Sequence, residues 1–323
     1  MKKKIEAFYR AQLDVRCDDV GNVFYFSASD FPGLLQEPFG FRTARGHRLQ
    51  GYFYSYPDAI SGRLVVFDHG MGGGHRSYMK EIELLARHGY RVFAYDHTGC
   101  MESEGESTGG FGRSVADLDD CLRALKVHPE CRGLPISVVG HSWGAFASMN
   151  IVASHPDVRH VVAMSGFISV DAILRQFFGG LLAPFRRHIR AIEAAANPSS
   201  MELDARTSLA DTSAQVLLIY SLDDKTVHAR RHLEPLKKAL AHRDNIRFLE
   251  VDGKDHNPNY TREAVMLKNE LFRDLTQKIK RGELATEEQK KAFRESWDWN
   301  AVTEQDPAVW TEIFACLDKN FSK

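Results

Sequence analysis

Short, continuous apolar runs recur along the chain, and stretches with helical spacing of apolar residues separate them. The runs are RLVVFDH (63–69), YRVFAYD (90–96), ISVVG (136–140), HVVAMSG (160–166), QVLLIYS (215–221) and IRFLEVDG (246–253). Runs of Val, Ile and Leu without polar alternation are typical of strands that are buried on both faces. Alternating with helices, such strands predict an α/β fold, in which helices cover both faces of a mostly parallel sheet.

Two segments before the C-terminus depart from this repetition. Residues 40–56 alternate around a turn at Gly46, which predicts a β-hairpin. Residues 167–210 lie between two predicted strands and are too long for one crossover helix, so we expect an inserted cap or lid. Its apolar side chains are expected to line an acyl pocket, while its arginines are expected to face water; the apolar set is Phe177, Phe178, Leu181, Leu182 and Phe185.

The last part of the chain, residues 282–323, predicts a C-terminal helical extension. Thr286 begins a sequence with capping-box spacing, and Asp306 is followed by a proline at the first helical position. These signals predict two helices, and we interpret the tryptophans of this segment as structural. The whole chain, 1–323, is therefore expected to be one α/β domain with a cap and this extension.

Charge and composition exclude several classes of protein. The chain has 42 Lys+Arg against 43 Asp+Glu, and this balance argues against a general nucleic-acid binder. No window approaches 18 consecutive apolar residues, so we expect no integral membrane segment, and the lysine-rich N-terminus lacks the apolar stretch of a signal peptide. Five scattered cysteines without a CxxC pair fit reduced thiols. We expect a cytoplasmic protein, and the sequence leaves open whether it forms a homo-oligomer.

The most specific motif is GHSWG (140–144), which follows the predicted strand ISVV directly and begins an apolar helical stretch. This setting is typical of a nucleophile elbow, in which a tight strand-to-helix turn presents a serine above the sheet. Glycines on both sides of Ser142 are needed because a side chain there would collide with the neighbouring strand and helix. Ser142 is therefore the candidate nucleophile.

A serine hydroxyl needs a general base, and the base needs an acid that orients it. His256 follows the predicted strand IRFLE and is the candidate base. Asp223 and Asp224 both follow the strand QVLLIY, and both could supply the acid; Asp224 is preferred. All of these residues lie just beyond the carboxyl ends of strands, where open α/β sheets carry their functional groups.

Hydrolysis of an acyl compound also needs donors for the tetrahedral oxyanion. The backbone N–H of Trp143, directly after the serine, is one candidate. The other is expected in the loop HGMGGG (69–74), with the N–H of Met71 preferred, because the glycines let the backbone approach a substrate. The alternative, a phosphate-binding loop, lacks the GxGxxG or GKS/T pattern.

In this order, the motifs 69–73 and 140–144 with Asp224 and His256 resemble the α/β-hydrolase superfamily. The chain is similar to the monoglyceride-lipase and serine-aminopeptidase-like branch, which has a helical cap at this place. The resemblance covers roughly residues 40–275 and implies an eight-stranded, mostly parallel sheet with the hairpin strands leading. The loop after the fourth strand departs from the family pattern, because it lacks an arginine and a second glycine, so no specific substrate is implied.

These observations predict a serine hydrolase that cleaves small-molecule carboxylic esters, including lipid-like acyl substrates. A small-peptide peptidase and an acyltransferase share this triad and remain open, as does, outside the enzymes, a non-catalytic binding protein with the same cleft. Fourteen histidines invite a metal site, but no HExxH or Cys/His spacing is present. We expect neither a metal nor a cofactor.

Overall fold

The computed structural model describes residues 2–58 and 62–319; residues 1, 59–61 and 320–323, which the predicted domain and its extension include, lie outside the described residues. At its centre is one eight-stranded sheet in the order β1-β2-β4-β3-β5-β6-β7-β8. The strands are β1 (Leu35–Arg42), β2 (Arg48–Ser55), β3 (Leu64–Asp68), β4 (Arg91–Tyr95), β5 (Ile136–His141), β6 (His160–Met164), β7 (Gln215–Ser221) and β8 (Ile246–Val251). β2 pairs antiparallel with β1 and with β4, and every other neighbouring pair is parallel. The predicted α/β fold with a mostly parallel sheet is confirmed.

Twelve α-helices lie in the described part of the chain. They are α1 (Lys2–Leu13), α2 (Met79–Arg87), α3 (Arg113–Val127), α4 (Trp143–Ile151), α5 (Val170–Phe177), α6 (Ala183–Ala196), α7 (Ala205–Ser208), α8 (Ala229–Leu240), α9 (Arg262–Arg281), α10 (Glu287–Glu295), α11 (Trp299–Val302) and α12 (Pro307–Leu317). None of these helices is both long enough and apolar enough to cross a bilayer.

Helices cover both faces of the sheet, because each central strand turns alternate side chains to opposite sides. On one face, α3, α4 and α8 pack against strand residues that include Val66, Val138 and Leu218. On the other face, α2 and α12 pack against Val65 and Leu217 among others. Both cores are completely buried at these positions, which explains the continuous apolar runs of the strands.

The hairpin strand β1 begins at Leu35 rather than at residue 40, where the alternation of the sequence begins. Its first four residues are exposed because β1 lies at the edge of the sheet. An exposed edge strand buries neither face completely, and therefore this part of β1 lacks the apolar pattern that marks the central strands.

Between β6 and β7, the segment predicted as a cap contains the helices α5, α6 and α7. α6 contacts the N-terminal helix α1, where the Tyr9 hydroxyl donates a hydrogen bond to the buried carboxylate of Glu193. The phenylalanines of the segment differ in burial, since Phe178 is buried and Phe177 is exposed. Arg190 pairs with Asp171 on α5.

The C-terminal extension contains three helices rather than the predicted two. Trp297 lies between α10 and α11, where Asp298 caps a new helix by accepting bonds from the backbone N–H groups of Asn300 and Ala301. α12 contacts β6 and β7, and its Trp310 is buried in the sheet's second core. The end of the chain therefore supplies one of the helices that cover the sheet.

Candidate active site

Ser142 lies in the tight turn between β5 and α4. Its backbone is left-handed, with φ of 56° and ψ of −110°, and its N–H bonds to the carbonyl oxygen of Met164 on β6 at 2.8 Å. A Cβ at Gly140 would overlap Ser148, and a Cβ at Gly144 would overlap the carbonyl oxygen of Asp68 on β3. The two glycines thus let strand and helix approach closely enough to hold the serine in this strained conformation.

His256 lies between Ser142 and Asp224. Its Nε2 is 2.8 Å from Ser142 Oγ, and its Nδ1 is 2.8 Å from Asp224 Oδ2. Because a carboxylate only accepts, Nδ1 carries the proton and Nε2 is free to accept the serine proton. The other oxygen of Asp224 accepts bonds from the backbone N–H groups of Thr226 and Val227, at 2.8 and 2.9 Å, which fixes this buried carboxylate.

Asp223, the competing acid, points to a different part of the same loop. Its Oδ1 accepts bonds from the backbone N–H groups of Gly253 and Lys254, at 3.0 and 3.2 Å, and from the Ser221 hydroxyl. Burial raises the pKa of Asp223, but these donors outweigh burial and lower the pKa below its ordinary value. Of the two carboxylates, Asp224 contacts His256, whereas Asp223 anchors the loop that carries His256.

A neutral histidine fixes the start of the glycine-rich loop. His69 Nδ1 donates to the carbonyl oxygen of Gly70 at 2.8 Å, and its Nε2 accepts from the backbone N–H of His97 at 2.9 Å. Burial lowers the pKa of His69 to about 3, so the ring stays neutral and can fill both roles. The loop is therefore tied to the residues that follow β4.

The two predicted oxyanion donors lie in two different elements, the glycine-rich loop and α4. Met71 follows Gly70 in the loop, and Trp143 is the first residue of α4. Within residues 2–58 and 62–319, neither backbone N–H donates a hydrogen bond. Both N–H groups are therefore available to a substrate oxygen.

A hydrogen-bond relay, which sequence reasoning missed, connects the glycine-rich loop with the base. The Tyr78 hydroxyl accepts from the N–H of Gly70 at 3.1 Å and donates to His141 Nδ1 at 2.8 Å. His141 Nε2 then donates to the carbonyl oxygen of His256 at 2.7 Å. Burial holds the pKa of His141 well below its ordinary value, which keeps the ring neutral as the relay requires.

A cluster of buried titratable side chains lies against the Trp143 ring. His97 Nε2 is 2.6 Å from an oxygen of Asp68, its Nδ1 is 3.3 Å from Asp117, and its ring centroid is 4.7 Å from that of Trp143. Burial lowers the pKa of His97, but the two carboxylates raise it to about 9, while burial raises the pKa of Asp68 above its ordinary value. The His97 ring thus joins the residues that follow β4 to Asp68, to Asp117 on α3 and to the Trp143 ring.

His75, another buried histidine near the ends of the strands, also has protein partners. His75 Nδ1 contacts Asp96 at 2.8 Å, and its Nε2 contacts the Tyr54 hydroxyl at 3.0 Å. Among the residues that the structure describes, no group of three or more His, Cys, Asp or Glu side chains is arranged to hold a metal ion.

Comparisons with known proteins agree with this architecture. The family described as "Serine aminopeptidase, S33" matches residues 61–229, more than half of the 323 residues. A monoglyceride lipase homolog from Monkeypox virus is 31% identical over 38% of the chain, and a monoglyceride lipase from Rattus norvegicus is 30% identical over 38%. These alignments span 43% and 38% of the two relatives, about two-fifths of their length. An esterase from Pyrococcus furiosus has the same fold, with a TM-score of 0.59, 19% identity, and coverage of 84% of this chain and 98% of the esterase.

Proposed function

The chain belongs to the serine aminopeptidase family S33, within the monoglyceride-lipase-like branch of the α/β-hydrolases, and we propose that it hydrolyses carboxylic esters through an acyl-enzyme. One observation carries the proposal: His256 Nε2 lies 2.8 Å from Ser142 Oγ while its Nδ1 lies 2.8 Å from Asp224. This is the geometry that a serine needs in order to lose its proton as it attacks.

In the first half of the reaction, Ser142 Oγ attacks the ester carbonyl and His256 Nε2 takes its proton. Asp224 holds the ring in the required tautomer and stabilises the imidazolium that forms. When the tetrahedral intermediate collapses, His256 gives the proton to the departing alcohol, and the acyl group stays on Ser142. In the second half, His256 activates a water that releases the acid and restores the serine.

The negative charge on the carbonyl oxygen needs fixed donors at the moment when it develops. Met71 and Trp143 supply the two backbone N–H groups, and each such donor is worth roughly 3 kcal/mol in the transition state. The loop that carries Met71 is held by His69 and by the Tyr78 hydroxyl, so little reorganisation is needed.

A small-peptide peptidase and an acyltransferase use the same triad and remain alternatives. An aminopeptidase must bind the substrate's ammonium group, which calls for an unpaired carboxylate near the nucleophile. The cavity beside the glycine-rich loop instead has three basic residues, Arg76, Lys80 and Lys268, against one acid, Glu81. This charge balance disfavours the binding of a substrate ammonium group in this cavity.

Three variants test the proposal with a fluorophosphonate probe and p-nitrophenyl esters. We expect wild type to be labelled and to hydrolyse the esters, and Ser142→Ala to do neither. Asp224→Asn should reduce kcat by about 10⁴-fold, because the wrong tautomer of His256 faces the serine. Asp223→Asn is the matched control, since it changes the neighbouring carboxylate, and its loss should be much smaller. Unlabelled wild type, or equal losses in the two Asn variants, would contradict the assignment.

A further inference from the structure

A cavity of about 270 Å³ lies against the glycine-rich loop, and the predicted cap contributes none of its lining residues. One wall is the loop itself, residues 70–73. The other walls come from the N-terminal segment 23–26 and from α9 and α11 at the end of the chain. The volume is near the lower end of the range of roughly 300–1,000 Å³ for ligand pockets, so the cavity suits a short group rather than a long acyl chain.

Gly70 lies against both the cavity and the candidate nucleophile, whereas Ser142 itself does not line the cavity. Gly70 lines the cavity, and a Cβ at this glycine would lie 3.4 Å from the Cβ of Ser142 and 2.6 Å from the Tyr78 hydroxyl. A substrate bound at Ser142 therefore lies next to the loop that forms the cavity wall. Met71, the proposed oxyanion donor, belongs to the same wall.

Three basic side chains line the cavity, and each donates a hydrogen bond to a neutral oxygen. Arg76 donates to the carbonyl oxygen of Tyr25 at 3.3 Å. Lys80 donates to the side-chain oxygen of Asn300, with its Nζ 4.6 Å from the ring centroid of Phe26. Lys268 donates to Asn257 Oδ1 at 2.8 Å.

The one acid of the cavity does not balance these charges. Glu81 is buried, one of its oxygens accepts from Asn259 Nδ2 at 3.0 Å, and the other has no hydrogen-bond partner among the described residues. Burial raises the pKa of Glu81 above its ordinary value. The lining residues thus include three basic side chains and one acid, while Glu83, Asp298 and Asp30 also act on Lys80 and oppose the lowering of its pKa by burial. Low-dielectric aromatic walls, including Phe24 and Trp299, strengthen the field of the charged groups.

We propose that this cavity binds a carboxylate of the substrate, so that the natural substrate is an ester that carries an anionic group on a short apolar spacer. The spacer would contact the aromatic walls, and the carboxylate would accept hydrogen bonds from Lys268, Lys80 and Arg76. Paired with several charge-assisted donors, a carboxylate can be buried at low cost. The inference rests on the proposed function for the position of the reacting bond.

The test compares esters that differ only in charge. Mono-p-nitrophenyl adipate carries the carboxylate on the acyl side, and p-nitrophenyl hexanoate is its neutral match. p-Carboxyphenyl hexanoate and phenyl hexanoate form the second pair, with the charge on the alcohol side. We expect kcat/KM to favour the anionic ester by about tenfold or more in one of the two pairs. Equal or lower values for the anionic ester in both pairs would overturn the proposal.

Variants of the lysines assign this preference to the cavity. Lys268→Met should abolish the preference mainly through KM, and Lys268→Arg should restore part of it. Lys278→Met is the matched control, because Lys278 lies on the same helix but near Asp274 and Glu283. If Lys268→Met does not fold, Lys80→Met takes its place. A preference that survives both Lys80→Met and Lys268→Met would contradict the assignment.

A binding measurement separates this inference from the proposed function. Calorimetric titration of the two acyl-side esters into Ser142→Ala needs no turnover, and we expect tighter binding of the adipate ester. If it binds no more tightly than the hexanoate ester while wild type is labelled by the fluorophosphonate, only the cavity assignment fails. If wild type is not labelled but the adipate ester binds, the cavity assignment stands without the hydrolase.

Discussion

The Tyr78 hydroxyl lies 2.8 Å from His141 Nδ1, and this contact joins the glycine-rich loop to the loop that carries His256. Tyr78 also accepts the N–H of Gly70, and His141 donates to the carbonyl oxygen of His256. The residue directly before the proposed nucleophile thus contacts the loop of the proposed base. For the proposed reaction, Tyr78 and His141 would be positioning residues, because they act through the backbone of the two loops.

The variant Tyr78→Phe should show this positioning role. It removes the acceptor of Gly70 N–H and leaves His141 Nδ1 buried without a donor, a loss of about 1–3 kcal/mol. We expect kcat for p-nitrophenyl acetate to fall by about tenfold to a hundredfold, with a small change in KM. Fluorophosphonate labelling should slow in parallel.

Tyr90→Phe is the control for this experiment. The Tyr90 hydroxyl donates to Asp318 at 2.7 Å, far from the proposed site, so its removal should change stability but not kcat. If both variants lose the same stability and keep full kcat, the relay does not position His256.

The sequence alone predicts the central strands well, because each of them is marked by its own short apolar run. Strands buried on both faces must be continuously apolar, and β3, β5 and β6 follow this rule. The exposed start of β1 lacks the signal, and its first residues were therefore missed. In the C-terminal extension, Asp298 begins a helix of only four residues, which is too short to show a periodic pattern.

The site could be predicted only in part. Ser142 and His256 follow from motif and order, but Asp223 and Asp224 are adjacent carboxylates whose directions depend on backbone donors up to 32 residues away. Tyr78 has the spacing of an apolar helix residue, and its hydroxyl meets His141 only because the fold brings together positions 63 residues apart. Contacts between residues so far apart in the chain cannot be predicted from a single sequence.

The variant Gly144→Ala should disrupt the elbow by steric overlap alone. A Cβ at this helical position would overlap the backbone carbonyl of Asp68. This carbonyl belongs to a central strand, so moving it would disturb the sheet. We expect a loss of unfolding free energy of about 3 kcal/mol or more, together with loss of probe labelling. Denaturant unfolding followed by fluorescence measures the first effect.

Gly46→Ala separates this overlap from backbone strain. Gly46 has φ of +91°, but a Cβ there would meet nothing within 4 Å. Its cost should therefore be only the conformational term, about 1–2 kcal/mol. Similar losses at the two positions would show that the close approach of β3 and α4 does not require glycine.

Removal of the Trp310 side chain should show whether the end of the chain belongs to the sheet's core. Trp310 is 3% exposed on α12, which packs against β6 and β7. Trp310→Ala should lower the free energy of unfolding by about 3–5 kcal/mol, as expected for a large buried aromatic residue. Trp297→Ala, at a half-buried position between helices, should cost less than half as much. Equal, small losses would indicate that α12 unfolds independently of the sheet.

The amine of Lys268 should make stability depend on alkaline pH. Burial lowers its pKa to about 8, although Glu81 opposes this, whereas an unfolded chain keeps the ordinary lysine value of 10.5. Between these values the unfolded chain holds a proton that the folded protein has released, so this contribution to stability rises with pH. Over the whole range between the two pKa values, this effect would change the free energy of unfolding by about 3 kcal/mol.

Comparison of wild type with Lys268→Met isolates this contribution. The other charged or titratable groups around the amine are Glu81, Tyr260, Arg76 and Lys80, and they are common to both proteins, so their titration largely cancels in the difference. We expect the unfolding free energy of wild type to gain on that of the variant from pH 8 to pH 10.5. A constant difference across this range would mean that the amine keeps its proton, and that the cavity remains fully charged above pH 8.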